Sequence, residues 1–85
     1  MYRFCMQRDD LSLVLLQSEQ VLEDARKWWE QYPALYTVNR YCVEEVEASG
    51  VVPRRWWLQC KLQHGGYCMV WVEEPNPAPR QIVLD

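Results

Sequence analysis

Cysteine and histidine are the residues of this chain best suited to chemistry, and three of them recur at a four-residue spacing: Cys60, His64 and Cys68. A structural zinc site takes four tetrahedral ligands and commonly uses a close Cys-x2-Cys pair. This spacing supplies three ligands and no such pair, and cysteines on two paired strands can point to opposite faces. The pattern favours a turn histidine between two free thiols, and a metal or thiol site on residues 60–68 is kept as the third functional hypothesis.

A catalytic cysteine would have to use the same segment, because His64 is the single histidine of the chain. Such a nucleophile needs a lowered thiol pKa and an oxyanion hole, which are often built at a helix N-terminus. No cysteine lies beside Ser18, where the predicted helix begins. The chain also contains no phosphate-binding glycine loop and no nucleophile elbow. We therefore expect no enzyme activity, no catalytic residues, no bound metal and no cofactor.

A group of three carboxylates, Glu44, Glu45 and Glu47, is the next candidate. Paired carboxylates serve acid–base chemistry or bind divalent cations. On a strand, Glu45 and Glu47 would share one face and Glu44 would occupy the other. The simpler interpretation, which we prefer, is a solvated strand edge whose charges discourage aggregation.

Aromatic and cationic residues alternate near the C-terminal half of the chain and predict a binding face. Its members are Arg54, Arg55, Trp57, Lys61, Tyr67 and Trp71. Protein-interface hot spots favour Trp, Tyr and Arg, and stacking platforms for single-stranded nucleic acid have a similar composition. The net charge of −3 argues against phosphate contacts and favours a protein partner. The alternative is that Trp57 and Trp71 are covered by the N-terminal hairpin or by the C-terminal tail.

The least ambiguous structural element is Ser18–Tyr32, which we predict to be an amphipathic helix. Its apolar residues recur at the spacing of one helical face: Val21, Leu22, Ala25, Trp28, Trp29 and Tyr32. Ser18 is a natural N-cap, and Pro33 removes a backbone donor that the next turn would need. A helix of this length is marginal alone in water, so packing must stabilise it.

Alternating apolar and polar residues predict two hairpins. The first pairs Met1–Gln7 with the short apolar run Leu11–Gln17, for which a helical extension of the next element is the competing interpretation. The second pairs Arg55–Gln63 with Tyr67–Glu73 through a glycine turn. The register of the second hairpin is open, and a shift of one residue exchanges its two faces. Tyr36–Ala48 fits a strand or a helix, and its β-branched and aromatic content favours the strand.

These elements predict one α+β domain over residues 1–74, followed by a proline-rich extension over residues 75–85. The expected fold is an antiparallel sheet of four to five strands in the order ββαβββ, with the helix on one face. The other face would be wet or open to a partner. Ile82 and Leu84 would either dock as an edge strand or remain loose.

Composition and sequence ends set the expected compartment. The 85 residues suffice for one small globular domain, and no apolar run approaches the roughly 20 residues of a membrane span. The N-terminus carries no signal-peptide pattern. We therefore expect a cytoplasmic protein whose four cysteines are free thiols.

The sequence as a whole predicts a small non-catalytic protein-binding module, acting as an adaptor or an inhibitor. Phage-encoded inhibitors of host defence, such as anti-CRISPR proteins, are an example of this size class, although no motif in the chain identifies it. A single-stranded nucleic-acid-binding protein using the same face is the alternative. The expected partner is another protein, with self-association through an edge strand or the C-terminal tail as a further expectation, and no membrane contact.

Overall fold

The computed structural model describes residues 1–32 and 40–84. Its elements are β1 (Tyr2–Gln7), β2 (Leu13–Glu19), α1 (Leu22–Lys27), a 3-10 turn (Trp28–Gln31), β3 (Tyr41–Glu45), β4 (Arg54–Gln63), β5 (Gly66–Glu73) and β6 (Ile82–Leu84). The strands form one sheet in the order β5-β4-β3-β1-β2-β6. All neighbours are antiparallel except β2 and β6. The predicted α+β class and mainly antiparallel sheet are therefore confirmed.

The predicted strand count and order require a correction. The described sheet has six strands rather than four to five, because the end of the proline-rich extension adds a strand that the order ββαβββ omits. Residues Ile82–Leu84 pair in parallel with Leu13–Leu15 of β2. This pairing satisfies backbone groups that a loose tail would leave to water. Of the two alternatives for Ile82 and Leu84, the docked edge strand is the one observed.

The helix is shorter than the predicted Ser18–Tyr32. Ser18 lies within β2 opposite Arg3 of β1, and the α-helix begins only at Leu22. Val21 occupies the N-cap position without a side-chain hydrogen bond. The predicted cap at Ser18 is wrong because this residue is part of the strand ladder to β1, so its hydroxyl does not cap a helix.

The apolar face of the helical segment nevertheless covers the sheet as predicted. Ala25 is fully buried, and Phe4 of β1 contacts the rings of Tyr32 and Tyr41 at centroid distances of 5.4 and 5.5 Å. The remaining buried members of this first core are Val43, Trp56 and Leu58. The Trp28 indole N–H donates to Oε2 of Glu19 at 3.1 Å, so its polar group is satisfied at the core's edge.

The strand interpretation of Tyr36–Ala48 is confirmed for Tyr41–Glu45, which forms β3 in the middle of the sheet. Residues 36–39 lie outside the described residues. Tyr41 and Val43 face the helix, whereas Cys42 points to the opposite side, as the alternation predicts.

The second face of the sheet is not open, contrary to expectation. Fully or nearly buried side chains form a second core there: Cys5, Leu13, Cys42 and Trp57. Ile82 packs against this cluster, and the carbonyl of Ala78 accepts a hydrogen bond from Arg55 at 2.9 Å. The proline-rich extension therefore supplies the cover that a single helix cannot give to both faces.

The β4–β5 hairpin has a two-residue turn at His64–Gly65, with φ values of 49° and 78°. Positive φ at both central residues is the type I′ geometry that matches the twist of hairpin strands. Leu58 lies opposite Trp71, which places Trp71 on the helix face. This is the face assignment of the two-residue alternative, although the turn lies one residue earlier than Gly65–Gly66.

Candidate functional site

The six residues of the predicted binding face do not form one surface. Arg55, Trp57 and Lys61 point to the face covered by the tail, because alternate residues of β4 share a face. Arg54, Tyr67 and Trp71 belong to the helix face. The structure therefore divides the predicted set into two groups of three, on opposite sides of the sheet.

Arg55 is the most deeply placed member of the set, with none of its side chain exposed. Its guanidinium donates to Glu44 at 2.8 Å, to Glu74 at 2.7 Å and to the Ala78 carbonyl at 2.9 Å. Burial alone would lower the pKa of Arg55, but the hydrogen bond to Glu44 and the charges of Glu44 and Glu74 outweigh it and raise that pKa. The charge of Arg55 thus binds the tail to the sheet.

Glu44 is buried, whereas the sequence alone favours a solvated strand edge for it. Its side chain is 1% exposed and bridges Arg3 and Arg55, whose guanidinium nitrogens lie 2.8 and 2.7 Å from its two oxygens. Because β3 lies between β1 and β4, Glu44 faces Arg3 on one neighbour and Arg55 on the other. Only the strand order reveals this, since the three residues are far apart in sequence.

Trp57 is held by the tail at two points. Its indole N–H donates to Oε1 of Glu74 at 2.7 Å, and the guanidinium of Arg80 lies 5.0 Å from its ring centroid. Arg80 also donates to Oε1 of Gln7 at 2.6 Å and to the carbonyl of Leu11 at 3.2 Å. Trp57 is consequently 8% exposed, which agrees with the tail-covered alternative.

Arg54 is half exposed but already occupied. It binds Glu73 through two hydrogen bonds of 2.6 and 3.2 Å, and its guanidinium lies 4.7 Å from the ring centroid of Trp56. The hydrogen bond from Arg54 holds the pKa of Glu73 below its usual value. Arg54 therefore shields the outer side of Trp56.

The tip of the β4–β5 hairpin is the most accessible apolar part of the predicted set. Tyr67 is 76% exposed and lies directly opposite Leu62, which is 67% exposed. Leu62 was not among the predicted contact residues because it continues the apolar face of Trp56 and Leu58. Among the described strands, β3 pairs only with Arg54–Trp57 of β4, so the distal half of the hairpin extends past the core. The feature that would have indicated the exposure of Leu62 is the greater length of β4 relative to β3.

The outer side of β5 is an unpaired edge within the described sheet. Glu74 donates its backbone N–H to the Arg55 carbonyl, which fixes the alternation of the ladder. By that alternation the backbone groups of Tyr67, Met69 and Trp71 point away from β4. Residues 66–72 contain neither a charge nor a proline, and their register with β4 is unbroken.

Two of the cysteines lie on the central strands β1 and β3, and the other two lie on the β4–β5 hairpin. Cys60 lies opposite Met69 and Cys68 opposite Lys61, so the two thiols of residues 60–68 point to opposite faces. In the described part of the chain, no group of three His, Cys, Asp or Glu residues is arranged to hold a metal ion. Cys5 and Cys42 face each other across β1 and β3, and burial raises the pKa of the Cys42 thiol well above its usual value.

Comparison with protein-family models, with curated proteins and with solved structures finds no match to this chain. Over residues 1–32 and 40–84, no helix has the length and hydropathy needed to cross a membrane. The geometry of the candidate site therefore carries the functional argument.

Proposed function

We propose that this chain is a small non-catalytic protein-binding module, an adaptor or an inhibitor, whose contact surface is the distal β4–β5 hairpin. The observation that carries the proposal is the directly paired, exposed couple of Leu62 and Tyr67 at its tip. Large apolar side chains in contact with water cost free energy that a protein partner can recover.

The distal hairpin is better supported as a contact surface than the six-residue binding face predicted from the sequence. Arg55 and Trp57 are buried under the tail, so we assign them a structural role. Lys61 and Tyr67 remain as candidate contact residues. Lys61 is exposed on the other side of the same hairpin. Tyrosine is one of the residue types enriched in interface hot spots, and Leu62 directly opposite Tyr67 adds exposed apolar area.

The placement of the aromatic and cationic residues on opposite faces of the sheet also favours a protein partner over a nucleic acid. A single-stranded nucleic acid requires aromatic platforms beside a groove of free cations. Arg54, Arg55 and Arg80 are each engaged by carboxylates or by side chains of the same chain. The exposed tip of the hairpin instead presents Leu62 and Tyr67 beside the uncharged Gln63, with Lys61 as its nearby cation.

A capture experiment with paired variants tests the proposal. The chain is immobilised and exposed to lysate of its source cells at low and moderate salt, and bound proteins are identified. We expect Leu62→Ala combined with Tyr67→Ala to remove the captured partner. The variant should keep its unfolding midpoint because both side chains are exposed.

The matched control is Leu84→Ala, which truncates an equally exposed aliphatic residue at the far edge of the sheet. It should keep full capture. If the hairpin variant captures the same partner as the original chain, the hairpin is not the contact surface. If capture yields nucleic acid that is lost with salt, the protein-binding proposal is wrong.

A further inference from the structure

The two edges of the sheet are protected very differently. The β6 edge is three residues long, whereas β5 is an eight-residue strand with no charge or proline between Gly66 and Val72. Natural sheets usually protect such an edge with lysine, proline, a bulge or a covering segment. None of these devices is present on the outer side of β5 within the described residues, so this edge is suited to accept another strand.

The sequence of β5 identifies the strand that fits it. Around Met69 the residue types are nearly palindromic: Tyr67 and Trp71 are aromatic, and Cys68 and Val70 are small and apolar. An interface with two-fold symmetry requires a self-complementary surface, in which residue i of one copy meets residue j of the other and the reverse. A palindromic pattern meets that requirement when two copies of the strand run antiparallel.

We propose that β5 pairs with β5 of a second copy, antiparallel and centred on Met69, to give one continuous twelve-stranded sheet. This inference names one partner for the hairpin surface and rests on that proposed function. It is a dimer contact of backbone hydrogen bonds and apolar side chains.

The backbone geometry allows this register. Tyr67, Met69 and Trp71 direct their N–H and carbonyl groups outward, so a centre at Met69 places outward groups opposite outward groups. Tyr67 then lies opposite Trp71 of the second copy, and Cys68 lies opposite its Val70. Every directly opposed pair in this central segment is apolar, and aromatic pairs stabilise antiparallel neighbours.

The adjacent allowed register is less favourable. A centre at Val70 would place Tyr67 opposite Glu73 of the second copy, where a carboxylate already bonded to Arg54 gains no partner. A centre at Met69 places Glu73 opposite Gly65 and beside the turn that carries His64. No two like charges face each other there.

The first test is the solution mass over a range of concentrations. One chain weighs 10.2 kDa, and we expect the mass to rise toward twice that value between about 1 and 500 μM. Met69→Lys would place two lysines opposite each other on the two-fold axis, and we expect it to raise the dimer dissociation constant by at least about tenfold. A mass that stays at the monomer value throughout overturns the dimer.

A cross-linking test fixes the register without depending on the folding of the lysine variant. Val70→Cys would lie opposite the native Cys68 of the second copy at a non-hydrogen-bonded pair, where the α-carbons are about 4.5 Å apart and a disulfide is within reach. With oxidised glutathione as oxidant, this variant should form a reducible dimer. Val72→Cys is the matched control, because Gly66 of the second copy lies opposite it and offers no thiol.

The outcomes separate this inference from the proposed function. Cross-linking of Val72→Cys overturns the Met69-centred register. In the alternative centred on Val70, residue 72 lies opposite Cys68 of the second copy and residue 70 lies opposite its own counterpart, so both cysteine variants would cross-link there. A monomer that still captures a different protein through Leu62 and Tyr67 overturns the dimer and supports the binding module. A dimer that cross-links as expected but captures nothing supports the inference and counts against the adaptor.

Discussion

The indole N–H of Trp57 donates to Oε1 of Glu74 at 2.7 Å, while Oε2 of the same carboxylate accepts from Arg55 at 2.7 Å. One side chain at the start of the tail thus satisfies two buried donors of β4. Because a buried donor without a partner is costly, this carboxylate makes the tail part of the fold. The contacts of Ala78 with Arg55 and of Arg80 with Trp57 and Gln7 then cross the boundary that composition suggests after residue 74.

Replacing Glu74 by glutamine should lower the free energy of unfolding by about 1–3 kcal/mol. The amide oxygen can still accept from Trp57, but the charge that faces Arg55 is lost. Chemical denaturation measures the change. Glu73→Gln is the control one residue away, since its pair with Arg54 is half exposed and should contribute less to stability than the contacts of Glu74. Equal losses in the two variants would refute the role given to Glu74.

The β1–β2 and β4–β5 hairpins are confirmed, because period-two alternation and short apolar runs bounded by turn residues are local signals of strands. The cap at Ser18 was misleading for a physical reason. Capping is a local preference worth about 1 kcal/mol, and pairing of Ser18 with Arg3 across β1 and β2 replaces it with a strand ladder. A local capping preference therefore could not predict where the helix begins, because strand pairing in the tertiary structure determines that position.

The candidate site was less predictable than the fold. The types of Arg55 and Trp57 suggested binding, yet their burial depends on a tail whose docking no periodicity reveals. The ion pairs of Glu44 join three strands that are adjacent only in the sheet order. Leu62 was missed because its exposure follows from the length of β4 relative to β3.

Truncation of Trp57 should destabilise the fold strongly, whereas truncation of Tyr67 on the same hairpin should leave stability almost unchanged. Trp57→Ala removes a side chain that is 8% exposed and leaves Glu74 without one donor, so a loss of about 3–5 kcal/mol is expected. Tyr67→Ala removes a side chain that is 76% exposed and should change stability by less than about 0.5 kcal/mol. Thermal and denaturant unfolding measure both. A stable Trp57→Ala variant would mean that the tail does not bury this face.

Thiol reactivity should report the docking of the tail. Cys5 and Cys42 are fully buried within the second core, whereas Cys60 and Cys68 are partly exposed. A colorimetric thiol reagent should therefore label two cysteines quickly and two slowly. Ile82→Ala weakens the packing of β6 against this cluster and should speed the slow phase at least several-fold.

Leu84→Ala is the appropriate control for that measurement, because it alters the exposed end of the same strand. Its slow phase should match that of the original chain. Four equally fast thiols in the unmodified protein would contradict the buried cluster.

Alkaline conditions should destabilise the fold through Cys42. Burial raises the pKa of its thiol in the folded chain, so the unfolded chain ionises first as the pH rises. The stability due to the protonated thiol is fully present below the unfolded pKa of about 8.5 and is lost as the pH rises toward the folded value. Between pH 8.5 and 9.5 this loss amounts to as much as about 1 kcal/mol.

Cys42→Ala removes the titrating group, so its free energy of unfolding should fall less steeply over that range than that of the original chain. Denaturant titrations at each pH give the slopes. Burial also raises the pKa of the Tyr41 phenol in the folded chain. Stopping at pH 9.5 keeps its contribution small, because the unfolded tyrosine ionises only near pH 10. Cys60→Ala, at a partly exposed position, should retain the original slope. If the Cys42 and Cys60 variants lose stability in parallel with the original chain, the buried thiol does not control alkaline stability.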